Sequence, residues 1–249
     1  MTVQIYNTPR DAAIKTAANL APIIRANPGK LICFAAGDTP LNMLGELIAL
    51  QGAGEVDLNT MYYAGLDEWA GLGRADKGSC AQVMYDAFYS PAGILPERMR
   101  VFDGTAADLV AEARGMDAWI RPRGGVFLTV LGVGMNGHVG FNEPGTPETD
   151  GCLVVELDEI TRQVGQKYFD RRREVKEGVT IGWAALVKAE ALFVMATGEK
   201  KADIVRRAFF EEMDPLIPAS LMRKNAGMTL ILDKDAAQAC PSGAQRALE

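Results

Sequence analysis

The 249-residue chain has the length of one large α/β domain, residues 1–249, and with 48% hydrophobic and 23% charged residues it can bury a core without disulfide or metal staples. Its formal net charge of -6 argues against general affinity for nucleic acid or an acidic membrane surface, though a few local cations could still hold a small anion. Cys33, Cys80, Cys152 and Cys240 are widely spaced with no C-x-x-C pair, and neither a signal pattern nor an apolar run of bilayer length occurs, so a cytoplasmic protein with reduced thiols is expected.

Apolar spacing predicts a helix from Pro9 to Ala26, stopped by Pro28-Gly29, then a buried strand from Leu31 to Ala35. The turn Ala36-Gly37-Asp38-Thr39-Pro40 leads into a helical pattern from Leu41 to Leu50, with Asp38 or Thr39 as N-cap and Pro40 in the first turn. Such a helix start offers N–H groups and a positive dipole end to an anion. Met61 to Leu66 reads as a strand running into Asp67-Glu68-Trp69, followed by a loop and a helix from about Ser79 to Ala87. A carboxylate just past a strand end can shuttle a proton, or it can cap the following helix, and the sequence leaves both roles open for Asp67 and Glu68.

Met99 to Phe102 reads as a strand, Ala106 to Ile120 as a helix, and Arg121 to Gly125 as the turn into a central strand, Val126 to Leu131. That strand is apolar throughout, as befits burial on both faces. Gly132, Gly134, Gly137 and Gly140 then open a tight loop that concentrates Asn136, His138, Asn142 and Glu143, and His138 is the one histidine of the chain. Glu143, five residues on, can fold back to orient and stabilise the imidazole. Gly132 to Gly137 also spells G-x-G-x-x-G, but no apolar helix follows to receive a pyrophosphate, and one histidine without paired cysteines makes no zinc spacing.

Leu153 to Leu157 reads as extended, Asp158 to Tyr168 as polar with a helical turn, Val179 to Ile181 and Leu192 to Thr197 as strands joined by a helix at Ala184 to Ala189. Gly198 to Lys201 begins a helix that continues to about Phe210, Met228 to Leu232 is a last buried strand, and the tail after Asp233 reads as surface. The polar stretches 145–160 and 171–178 suggest a lid, and Arg171, Arg172 and Arg173 an exposed run balanced by Glu174 and Glu177. The alternation as a whole predicts a doubly wound, mostly parallel sheet with helices on both faces.

LGVGMNGHVGFNEPG, AGLDEWAGL at Ala64 to Leu72, AAGDTP at Ala35 to Pro40 and VTIGWAALVKAEALFVMATGEKKA at Val179 to Ala202 together resemble the amino-sugar-6-phosphate deaminases, a Rossmann-like α/β family. The related 6-phosphogluconolactonases share the glycine–histidine loop, whereas the Phe141-Asn142-Glu143-Pro144 continuation favours the deaminase branch. The resemblance implies Asp67 as the base moving a proton between C2 and C1, His138 as the ring opener and Glu143 as its orienting partner. It implies Ala36, Gly37, Asp38, Thr39, Lys167 and Lys201 as the phosphate cradle, with no cofactor and no metal.

Asn136 stands where that family commonly has aspartate, so it can orient His138 but carries no charge; Lys167 stands where arginine is common and keeps the charge without the bidentate fork. Asp38 stands where glycine or serine is common and is expected to turn away from the phosphate and cap the helix. The segment 146–155 lacks the basic residues with which regulated relatives bind an allosteric amino-sugar phosphate, which implies no such activation. The expected reaction takes glucosamine-6-phosphate and water to fructose-6-phosphate and ammonia. Galactosamine-6-phosphate giving tagatose-6-phosphate, a lactonase and a non-catalytic phosphosugar sensor are the alternatives, and homo-oligomerisation is left open.

Overall fold

The computed structural model describes residues 1–243. In chain order it runs β1 (Thr2–Tyr6), α1 (Pro9–Ala26), β2 (Leu31–Phe34), α2 (Asp38–Gly52), β3 (Tyr62–Gly65), β4 (Asp67–Trp69), α3 (Cys80–Met84), β5 (Met99–Arg100), α4 (Leu109–Ile120), β6 (Leu128–Gly132), β7 (Cys152–Glu156), α5 (Glu159–Gly165), β8 (Glu177–Ile181), α6 (Trp183–Val187), β9 (Ala191–Ala196), α7 (Ala202–Phe210), α8 (Pro218–Leu221), β10 (Thr229–Asp233) and α9 (Lys234–Ala237).

Seven strands form one parallel sheet in the order β1-β10-β9-β6-β2-β3-β5. Its coverage on both faces follows from the strand sequences. In β2, Leu31 and Cys33 pack into one apolar cluster while Ile32 and Phe34 pack into the other, so a strand with no polar position separates two dry layers. The chain runs outward from β2 through β3 to β5, then returns to place β6 on the opposite side of β2. The reversal opens a crevice at the carboxyl ends of β2 and β6, where open α/β sheets bind ligands.

Three differences from the expected elements bear on the site. The sequence reading has no strand at residues 2–6, yet β1 pairs with β10 over five residues and forms the sheet edge. Asp67-Glu68-Trp69 are more than the end of a strand: as β4 they join β8 and β7 in a separate three-stranded antiparallel sheet. The stretches expected as a lid supply β7 and the first residues of β8 to that sheet. The expected surface tail begins instead as α9, with Ala236, Ala237 and Cys240 buried; the expected domain of residues 1–249 and its tail extend into 244–249, outside the described residues. Among the described residues no helix is long and apolar enough to cross a membrane.

Candidate functional site

At the crevice the chain builds a cavity of about 210 Å³. The β2–α2 turn, the start of β4, the loop after β6, the segment around α5 and Lys201 wall it.

One end is made of backbone and cations. Helix α2 begins at Asp38, ahead of the Leu41 start of the apolar pattern, and Gly37 rather than Asp38 or Thr39 is its N-cap, with no side chain bonded to the helix end. Asp38 therefore does not cap. A residue already in the first helical turn projects outward, and its carboxylate accepts from Lys167 Nζ at 2.6 Å, 129 residues away. Thr39 Oγ1 lies 3.1 Å from Thr197 Oγ1, tying the turn to the end of β9. Lys201 Nζ donates to the Val133 carbonyl at 2.6 Å, which holds the ammonium across the glycine loop. Burial and then the neighbouring Lys167 charge depress its pKa to about 8, with Asp38 pulling the other way. Lys167 is more exposed; desolvation pulls its pKa down, but the hydrogen bonds and charges of Asp38 and Tyr168 together raise it. Ala36, Gly37, Asp38, Thr39, Lys167 and Lys201 all line this cavity.

The other end is made of an acid and an imidazole. Asp67 lines the cavity; burial drives its carboxyl up to about 6 against a hydrogen bond with Cys80 and the charge of His138. Glu68, its neighbour on the opposite face of the strand, is fully buried. Glu68 Oε1 accepts from the Trp69 and Cys80 N–H groups at 2.9 Å and Oε2 from Ala81 N–H at 2.8 Å, so it anchors the start of α3. The alternation of a β-strand thus turns Glu68 to the helix start and Asp67 to the cavity.

The imidazole of His138 lies directly over Gly134: a Cβ there would stand 2.4 to 2.6 Å from three ring atoms, so only glycine admits it. Gly137 has φ +87, and a side chain would meet Ile217 at 2.7 Å, while its carbonyl accepts from Ala219 N–H at 2.8 Å. Strand β8 holds this loop and the acid in one frame. Thr180, opposite Asp67 in the register, accepts the Phe141 N–H at 3.2 Å, and fully buried Asn142 donates to the Val139 and Ile181 carbonyls at 2.9 Å while accepting from Trp183 N–H at 2.8 Å. Asn142 is therefore a structural pin.

Behind the ring, Glu143 Oε2 lies 3.5 Å from His138 Nδ1 and accepts from Asn136 Nδ2 at 2.8 Å. Asn136 Oδ1 accepts the His138 main-chain N–H at 3.2 Å. Neither Asn136 nor Glu143 lines the cavity; Glu143 lies behind the ring, and Asn136 bonds to Glu143 and to the His138 main chain. Burial pushes the Glu143 carboxyl up, but the hydrogen bond and charge of His138, then Thr161 and Asn136, hold it below its ordinary range. Thr161, from α5, was not singled out by the sequence: its Oγ1 lies 2.8 Å from His138 Nδ1. Nothing in a helical hydroxyl 23 residues from the histidine marks such a contact.

Arg173 pairs with Asp76 at 2.9 Å and Glu174 with Lys176 at 3.0 Å, so these two do not pair with each other as the expected balance would have it. Cys33, Cys80 and Cys152 are free thiols. Among the described residues no three His, Cys, Asp or Glu side chains gather as a metal-binding set.

With this geometry in view, the comparisons with known proteins are specific. A family model described as glucosamine-6-phosphate isomerases/6-phosphogluconolactonase matches residues 7–231. The chain is 32% identical to a glucosamine-6-phosphate deaminase of Halothermothrix orenii over 95% of this chain and 99% of the relative. It is 34% identical to that of Lysinibacillus sphaericus over 89% and 94%. A solved structure of a monomeric glucosamine-6-phosphate deaminase, described as a missing link of the NagB superfamily, superposes with a TM-score of 0.91 at 30% identity, covering 96% of this chain and all of that one. A 6-phosphogluconolactonase from Leishmania guyanensis, at 19% identity and a TM-score of 0.75 over 97% and 99%, shares the fold. The chain belongs to the glucosamine-6-phosphate isomerase/6-phosphogluconolactonase family.

Proposed function

We propose that this chain is an amino-sugar-6-phosphate deaminase that converts glucosamine-6-phosphate and water to fructose-6-phosphate and ammonia, in the cytoplasm. The observation that carries this reading is that Asp67 and His138, 71 positions apart in the chain numbering, face one cavity that a helix start and two lysines also line.

The phosphate would take the α2 end, where unfilled N–H groups, Lys201 and Lys167 supply the positive field. His138 would remove the anomeric hydroxyl proton and return one to the ring oxygen, opening the pyranose. Asp67 would then take the C2 proton, acidified by the adjacent C1 carbonyl, and give it back at C1, while a second proton passes from the C2 ammonium to the C1 oxygen. A carboxyl raised to about 6 suits both halves of that transfer, being ionised at neutral pH yet basic enough to hold a proton between the two carbons. The nitrogen is left on C2 as an imine; water adds there, ammonia departs and the ketose remains. Asn136 and Glu143 act through the imidazole, and Glu143 supplies the negative charge that the imidazolium needs.

Lactone hydrolysis would use the imidazole and the cations but leave Asp67 without work. Coupled assays on the intact protein decide among the readings: ammonia and fructose-6-phosphate forming one to one from glucosamine-6-phosphate is the expected result. Turnover confined to galactosamine-6-phosphate would move the substrate to the C4 epimer, and turnover confined to 6-phosphogluconolactone would overturn the deaminase reading.

A further inference from the structure

Three donors and acceptors meet behind the imidazole, and their proton count admits one self-consistent arrangement. Nδ1 of His138 is 2.8 Å from Thr161 Oγ1, a full hydrogen bond, but 3.5 Å from Glu143 Oε2, beyond the usual range for N–H···O. Glu143 is buried; its Oε2 is taken by Asn136, and its Oε1 has no hydrogen-bond partner among the described residues. A hydroxyl has one proton to give. If Thr161 gave it to Nδ1, a nitrogen lone pair would face the buried carboxylate 3.5 Å away, a costly state. If Nδ1–H donates to Oγ1, the ring turns a donor rather than a lone pair toward the anion, and the hydroxyl proton is left for the carboxylate, which Thr161 helps to hold below its ordinary range.

We infer that Thr161 is a positioning residue that relays His138 Nδ1–H to Glu143 through its hydroxyl, fixing the imidazole in the tautomer whose Nε2 is unprotonated. The inference rests on the proposed role of His138 as ring opener, and it adds the element that selects which nitrogen can accept the sugar's proton. It also explains why a roof helix takes part in the chemistry. Thr161 is 3% exposed and borders the cavity, so the helix that covers the substrate space carries the link between the imidazole and its counter-charge. When Nε2 takes a proton from the anomeric hydroxyl, the positive charge on the ring is met by a hydrogen-bonded path to Glu143, without Glu143 itself taking the proton.

Because His138 is the one histidine in the chain, its ring nitrogens can be read without assignment ambiguity. The test compares ¹⁵N ring spectra of the neutral imidazole in the intact protein, Thr161→Val and Thr161→Ser, together with steady-state kinetics on glucosamine-6-phosphate. The parent is expected as a single Nδ1–H tautomer. Thr161→Val, which keeps the shape and deletes the hydroxyl, should give a tautomer mixture and lower kcat about 10- to 100-fold with KM within about twofold. Thr161→Ser should restore both. A parent ring protonated at Nε2, or a Thr161→Val protein with unchanged tautomer and kcat, overturns the relay. Since the spectra need no substrate, the expected tautomer pattern without ammonia release would instead remove the proposed reaction and leave the relay standing.

Discussion

At the rim of the seven-stranded sheet the cavity is walled by backbone and lysines; beside the three-stranded sheet it is walled by an acid and an imidazole. The two regions are held differently. The first needs only a helix start and point charges, whose attraction for an anion falls off gradually with distance, so one turn after β2 suffices and Lys167 can be half exposed. The second must place proton donors and acceptors to within a fraction of an ångström. Accordingly β8 pairs with the strand of Asp67 on one side while Thr180 and the Ile181 carbonyl pin the loop of His138. In the proposed reading, phosphate binding falls to the carboxyl ends of the large sheet's central strands, and proton transfer to side chains that the small sheet braces.

The sharpest way to separate the two regions is Asp67→Asn. Loss of the base should reduce kcat about 10²- to 10⁴-fold while leaving phosphosugar affinity nearly unchanged. The same substitution should stabilise the fold at neutral pH. The carboxyl rises from an ordinary 3.8 to about 6, chiefly through burial. Between those values the folded state holds a proton that the unfolded chain releases, so stability falls as pH rises through the window. Above it, ionised Asp67 costs on the order of 1–3 kcal/mol, which the amide avoids. Denaturation at pH 7 should therefore show Asp67→Asn the more stable protein, and the advantage should vanish below about pH 4. A variant that lost affinity and stability together would show that the acid serves the fold rather than the reaction.

The same division explains what could be read from the sequence. Helix α1 has the bounds its apolar spacing predicts, and β2, β3, β6, β9 and β10 lie within a residue or two of their apolar runs, because a strand buried on both faces advertises itself locally. The pairing of the three-stranded sheet does not advertise itself, although β7 and β8 fall on stretches read as extended: Asp67-Glu68-Trp69 pair with Gly178 to Thr180, over 100 positions on, and no local pattern encodes such a partner. Strand β1 is five residues of T-V-Q-I-Y at an edge, too short and too mixed to stand out beside α1. Among the site residues, the glycine loop and the β2–α2 turn are legible because backbone demands fix their residue types. Thr161 and the Asp38–Lys167 pair are not, since each depends on a contact between distant segments.

A smaller effect should fall on binding alone. Lys201 is depressed to about 8 by burial and by Lys167, so raising pH through that value discharges it and weakens the hold on phosphate. In the parent protein kcat/KM should fall on the alkaline side near pH 8, through KM, and on the acid side near pH 6 as Asp67 takes up its proton. The acid limb should be steeper than a single ionisation allows, because the substrate's phosphate gains its second proton at about pH 6 as well. Lys201→Met should raise KM about 10- to 100-fold with kcat within a fewfold, and erase the alkaline limb while sparing the acid one. A fall in kcat with KM unchanged would place Lys201 with the chemistry and break the division.

The finest distinction is Asp38→Asn. In the protein without substrate this carboxylate satisfies Lys167 at 2.6 Å, so an incoming phosphate must share or replace it. Both side chains are largely in water, at 49% and 66% exposure, which limits the pair to under about 1 kcal/mol. Removing the charge should therefore lower KM only about two- to fivefold, with kcat unchanged, and the gain should shrink as salt screens the pair. There is an opposing term: Asp38 sits in the first turn of α2, where a negative charge favours the helix by about 0.3–1 kcal/mol, so the variant should bind phosphosugar more tightly and melt slightly earlier. If KM rises instead, Asp38 holds Lys167 in place for the phosphate, and the pair is part of the cradle rather than its competitor.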